Sequence, residues 1–120
     1  MAADAVRANQ FPELGREARL LTGREIYFDQ EGFFWEAEDW SEEAARILAR
    51  EAGLPELTDT HWRVLHFFRD YYFYHRRAPL NRHLKEGTGL SLQTLEGLFP
   101  QGIRQGARRL AGLPNPKSCF

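Results

Sequence analysis

At 120 residues, with 42% hydrophobic and 28% charged side chains, the chain is large enough for one domain around one modest core. No apolar run approaches bilayer length, no signal-type stretch opens the chain, and the only cysteine is Cys119, which together exclude a membrane-spanning role and a disulfide-built secreted scaffold; the expected location is cytoplasmic. The net charge of −1 conceals a polarity, since residues 1–59 hold 14 Asp/Glu against 6 Arg while residues 60–120 hold 3 against 10 Lys/Arg. Either the basic half docks on an acidic protein or RNA, or the two halves fold together and cancel.

In chain order, residues 1–20 are punctuated by Pro12 and Gly15 and read as a loose N-terminal arm. REIYFDQEGFFW then places two short aromatic runs around the turn Asp29–Gln30–Glu31–Gly32, which predicts a β-hairpin. A lone hairpin is marginal in water and must lie on helices. Ser41 is an N-cap for SEEAARILAREAG, with Glu42 and Glu43 in the first turn, Ala44, Ile47, Leu48 and Ala52 on one face, and Gly53 as the stop.

Thr58 or Asp59 caps the next helix. Its two apolar stripes, Trp62, Leu65, Phe68, Tyr72 and Val64, Phe67, Tyr71, Tyr74, predict a central element covered on most sides. A short helix follows from Pro79 to about Lys85, ended by Gly87–Gly89, and Ser91 caps LQTLEGLF up to Pro100. The last helix, Gln101–Ala111, sets Ile103, Ala107, Leu110 and Ala111 on its inner face and Arg104 and Arg108 opposite, with Gln105 and Arg109 alongside. Pro114 and Pro116 then hold the tail LPNPKSCF extended. The fold class is therefore mainly α: a small helical bundle over 21–112 with an N-terminal β-hairpin, a helix-turn-helix-like C-terminal part, and a mobile arm over 113–120.

Most catalytic chemistries find no foothold. The GTG at 87–89 lacks the spacing and lysine of a phosphate loop, and no nucleophile elbow is present. His61 and His66 are five apart and do not stack on one helix face, so no metal site is expected, and no cofactor either. Arg104, Gln105 and Arg108 would suit phosphate and base contacts if the last two helices formed a nucleic-acid-reading pair. Cys119 is the stronger candidate. A thiol on a mobile tail is accessible, nearby cations favour its thiolate, and a thiolate takes and passes a sulfane sulfur by displacement.

The segment LFPQGIRQGARRLAGLPNPKSCF, with DQEGFFWEAEDW and LTDTHWRVLHFFRDYY upstream, resembles the DsrC/TusE family of sulfur-carrier proteins over about residues 21–120. The resemblance implies a helical domain with a C-terminal arm whose cysteine, here Cys119, carries persulfide sulfur; the cations on the preceding helix, Arg104, Arg108 and Arg109, are the expected docking or thiolate-steadying residues on charge alone. It implies a donor complex of TusBCD/DsrEFH type. The acceptor would be a tRNA thiouridylase acting in 2-thiouridine synthesis, or dissimilatory sulfite reductase, whose gamma-subunit-type relative is DsrC. Contact of the basic C-terminal helix with tRNA or DNA is an alternative. DsrC proper uses a second cysteine eleven residues earlier, and that position is Arg108 here, which implies the single-thiol, TusE-like side. The chain departs from the pattern at Ile103, at Gln105 and in a shortened stretch between Pro79 and Leu98, which implies altered partner surfaces.

Overall fold

The computed structural model describes residues 15–115; the stretches 1–14 and 116–120, Cys119 included, lie outside the described residues. β1 (Arg16–Leu21) pairs antiparallel with β2 (Arg24–Asp29), Arg16 opposite Asp29 and Leu21 opposite Arg24. Thr22 and Gly23 between them have φ of 52° and 77°, as a two-residue turn needs if its twist is to match the strands it joins.

This hairpin differs from the one the aromatic runs predict. Its first strand begins at Arg16, inside the stretch expected to be a loose arm. The turn at 29–32 leads only to a single bridge between Phe28 and Phe34. Phe33 and Phe34 are both buried, 0% and 1% exposed, but only Phe34 joins Phe28 in the core; Phe33 lies apart from that cluster, with the Arg104 guanidinium 5.8 Å from its ring. Asp29 fixes this turn by accepting the amides of Glu31 and Phe33, each at 2.9 Å.

A short 3-10 turn, Ala37–Asp39, and five longer helical segments complete the described domain: α1 (Glu42–Glu51), α2 (Asp59–His75), α3 (Asn81–Thr88), α4 (Leu92–Leu98) and α5 (Ile103–Arg108). The caps fall where the sequence puts them. Ser41 Oγ accepts from the Ala44 amide and Ser91 Oγ from the Thr94 amide, both at 3.1 Å, and Thr58 caps α2. Gly89 ends α3 in the left-handed region, φ 74°. The expected inner face of α5 is buried as well, but the segment is wound as a π-helix, a wide turn often found at functional sites. Gly106 permits its close packing on the chain before it, because a Cβ there would meet Phe99 Cβ at 2.8 Å.

The core gathers Ile26, Phe28 and Phe34 from the hairpin side with Leu48, Val64, Leu65, Phe68, Leu84, Leu95, Phe99 and Leu110. Phe28 and Phe34 meet with ring centroids 4.8 Å apart. α2 is not covered along its whole length, contrary to expectation. Its buried residues stop at Phe68, and Phe73 to His75 are exposed, Tyr74 at 82%. A 17-residue helix spans about 25 Å, more than α3 and α5 cover. No helix among the described residues is long and apolar enough to cross a membrane.

One ion pair ties the hairpin to α1: the Arg19 guanidinium grips Glu51 at 2.7 and 3.1 Å. Hydrogen bonding by Arg19 holds the Glu51 carboxyl below its ordinary value, burial opposing and charge attraction adding. A lowered folded-state value stabilises the fold above the ordinary carboxylate range, and that stabilisation is lost as pH falls through the lowered value. Wild type should therefore exceed Glu51→Gln in stability at pH 7 by no more than about 1 kcal/mol, as half-exposed pairs do. Urea midpoints measured at pH 7 and again well below pH ~4 should show that difference closing in acid.

Candidate functional site

The described chain ends at a fixed root, four residues before Cys119. α5 continues through Arg109 and Leu110, and the chain then turns at Gly112, φ 80°, with the Gly112 amide donating to Arg109 O at 3.1 Å. Leu110, Ala111 and Leu113 are fully buried and Asn115 is 5% exposed. Helix C-termini leave carbonyls that need donors, and two side chains from elsewhere in the chain supply them. Trp40 Nε1 donates to Leu110 O at 2.7 Å, and Arg69 Nη1 donates to Ala111 O at 2.9 Å. Arg69 Nη2 reaches Ala37 O at 3.0 Å, and the guanidinium lies 4.3 Å from the Trp40 ring and 5.0 Å from Phe73. Burial lowers the Arg69 pKa from its ordinary value, with Glu38 and Asp70 opposing; an arginine stays charged even so.

Gly112 completes the joint. A Cβ there would sit 2.4 Å from Trp40 Cδ1 and 2.7 Å from Trp40 Cβ, so glycine is required both for its φ and for the approach of the indole. Neither Trp40 nor Arg69 was singled out from the sequence. An arginine between Phe68 and Asp70 reads as solvated, and the only available signal was that a buried indole N–H needs an acceptor.

Of the three arginines expected at the site, two come together. Arg104 and Arg108 line a groove of about 400 Å³ with Phe68, Pro79, Leu80 and Ile103. Arg104 lies beside the root, its Nη2 3.5 Å from Asn115 Oδ1 and 3.9 Å from Glu31 Oε1. Arg109 turns the other way. It donates to Gln105 O at 2.8 Å and Gln101 Oε1 at 2.9 Å, lies under Gly32, and has its pKa lowered mainly by burial.

α4 and α5 keep a helix-turn-helix-like form, but a nucleic-acid-reading role is not supported. Gln105 donates to Glu31 at 3.5 Å, Arg104 faces Glu31 and Asn115, and Arg108 lines the groove beside Phe68. The side chains that would read a groove are engaged within the fold.

The four histidines hold structural positions. His61 bridges the α2 cap to Leu98 O at 2.8 Å, and His66 meets Glu42 at 3.1 Å. His83 Nδ1 accepts the Leu80 amide at 2.9 Å, and Tyr71 stacks on His83 and lies tilted against His75. No group of three metal-ligating side chains occurs among the described residues.

A family model described as "DsrC like protein" matches residues 20–120. The sulfurtransferase TusE homolog of Haemophilus influenzae is 36% identical, the match covering 83% of this chain and 97% of that protein. The dissimilatory-type sulfite reductase gamma subunit of Nitratidesulfovibrio vulgaris is 33% identical, over 81% and 92%. Among solved structures, the oxidized gamma subunit of dissimilatory sulfite reductase (DsrC) from Archaeoglobus fulgidus superposes with a TM-score of 0.74 at 36% identity, covering 87% of this chain and all of that one.

Proposed function

This chain belongs to the DsrC-like family, and from that membership we propose that it is a sulfur relay protein carrying persulfide sulfur on Cys119. The observation that carries the reading is the root. A buried, doubly clamped helix end at Leu110–Leu113 launches a segment whose fourth residue beyond Asn115 is the chain's only thiol. Four residues reach about 14 Å at most, so the root sets where the sulfur can go.

In the loading step the Cys119 thiolate attacks the outer sulfur of a donor persulfide. A new S–S bond forms, the donor's S–S bond breaks, and the donor departs as thiolate. Unloading repeats the displacement: an acceptor thiolate attacks the outer sulfur and Cys119 is released as thiolate, with no net oxidation. Arg104 and Arg108, which line the groove together with Glu96, are the residues proposed to attract an anionic sulfur to it; Arg109 supports the turn at 29–32 instead.

With a single cysteine in the chain, the relay is of one-thiol, TusE-like kind. Its proposed donor is a TusBCD/DsrEFH-type complex and its proposed acceptor an enzyme of tRNA 2-thiolation. The likeness to a sulfite reductase gamma subunit supports sulfite reductase as a second acceptor, with Arg108 in place of a second thiol. The test is intact-mass spectrometry after exposure to inorganic polysulfide. The chain should gain about 32 Da, one sulfur, and lose it on addition of a thiol reductant. A mass that does not change would end the relay reading.

A further inference from the structure

Four large hydrophobic side chains are conspicuously exposed among the described residues, and three of them, Phe73, Tyr74 and Leu80, fall within eight positions at the end of α2 and the start of α3. The same stretch is strongly basic. Between Tyr71 and Lys85 it carries Arg76, Arg77, Arg82 and Lys85 and no Asp or Glu, Asp70 and Glu86 bracketing it. All four cations are exposed, and none is in an ion pair among the described residues. The acidic half of the chain thus reaches Arg104 and the hairpin but leaves this corner uncompensated.

The corner adjoins the root of the arm. Phe73 lies under Arg69, which holds Ala111 O, and Leu80 walls the groove that Arg104 and Arg108 line. It is also held firmly. His83 takes the Leu80 amide, while Tyr71 stacks on His83 with ring centroids 4.9 Å apart and lies tilted against His75 at 4.1 Å. An exposed leucine held in place at little further entropic cost is suited to docking.

We propose that Phe73, Leu80, Arg76, Arg77 and Arg82 form the docking surface for an acidic protein partner, the one that exchanges sulfur with Cys119. The inference rests on the relay reading and adds to it the site of recognition. A protein is favoured over RNA because Leu80 has no ring and Arg69 lies 5.0 Å over the Phe73 ring, which leaves Tyr74 as the one well-exposed ring among the patch's hydrophobic side chains. Single-strand binding uses successive stacking rings, whereas a core of exposed apolar groups inside a charged rim is the pattern of protein interfaces. Charge at such a rim acts mainly on the association rate.

The experiment compares two sulfur sources on wild type, Arg77→Glu/Arg82→Glu and Leu80→Ser: inorganic polysulfide, which needs no docking, and a purified persulfide-loaded TusBCD-type complex. Far-UV circular dichroism and Tm establish that the exposed substitutions leave the fold intact. The charge-reversed variant, whose residues do not line the groove of Arg104 and Arg108, should load from polysulfide within about twofold of wild type; Leu80→Ser, at the groove wall, should lose more of its rate from the protein donor than from polysulfide. From the protein donor, the charge-reversed variant should load at least about tenfold more slowly, and the wild-type rate should fall with salt. Unchanged transfer from the complex, or a wild type that takes sulfur from polysulfide and not from the complex, overturns the docking proposal. If excess tRNA blocks transfer to wild type, the surface takes RNA and the protein reading is overturned. Failure of wild type to load from polysulfide instead overturns the relay reading on which this one stands.

Discussion

Replacing Cys119 by serine is expected to abolish sulfur loading completely, whichever donor is used. The reason is arithmetic as much as chemistry. The chain has one thiol, so no second cysteine can accept sulfur in its place, and a serine hydroxyl at neutral pH offers no comparable nucleophile. Two accompanying results follow from the same count. The loaded wild type should be a monomer heavier by about one sulfur atom, because no internal disulfide can form to expel it. Any protein disulfide formed on oxidation of the unloaded chain should be intermolecular, visible as a dimer on non-reducing gels and absent from Cys119→Ser. A residual mass gain of about 32 Da in the serine variant would show that the sulfur resides elsewhere. An intramolecularly oxidised wild type would contradict the one-thiol scheme. Arg108→Cys would place a thiol where two-cysteine relatives are implied to have one, and the direction of the change is then informative: a new intrachain disulfide should appear at the expense of stable persulfide.

Much of the helical frame was legible from the residues alone. Ser41, Thr58 and Ser91 announce three helix starts because a short side-chain oxygen before an apolar period has one common use. Ile103, Ala107, Leu110 and Ala111 reveal the inner face of α5 by spacing, even though that face is reached with π winding, which periodicity does not encode. Three features were not legible. The hairpin was displaced because Ile26 and Phe28 carry the alternation of one strand while their partner Arg16–Leu21 shows only one buried side chain, Leu21, at its end. The exposed end of α2 was hidden because Tyr71, Tyr74 and Phe67 read as a core stripe, and only tertiary context shows where the core ends. The arm's root was invisible because it is built from residues 70 and 42 positions upstream. A net charge of only −1 likewise concealed an uncompensated basic corner; only the fold shows which arginines the acidic half reaches.

Gly112→Ala is expected to be among the most destabilising single-methyl additions in this chain. Two costs act together. An L-residue at φ 80° is worse than glycine by about 1 kcal/mol, and the added methyl meets the Trp40 ring at 2.4 Å, with Trp40 Cβ at 2.7 Å. Neither contact is the yielding end of a flexible chain, so overpacking adds about 2 kcal/mol more. For a domain of this size about 3 kcal/mol corresponds to a Tm lower by roughly 10 °C. The displaced indole would also give up its bond to Leu110 O, and Arg69 would lose the ring it lies over, so the penalty should not be additive with changes at those positions. Combining Gly112→Ala with Trp40→Ala should recover the steric part and leave only the backbone cost plus the cavity. A double mutant as unstable as the sum of its singles would show that the indole is not what the methyl strikes. The functional consequence separates root from thiol. Polysulfide asks only for an accessible Cys119, and should load the folded variant at a near-native rate. Transfer from a protein donor asks that the arm leave the domain in one direction, and should fall by at least about tenfold, as displacement of a reacting group by 1 Å or so commonly costs. Equal losses from both sources would mean that the joint of Trp40, Arg69 and Gly112 serves the fold alone.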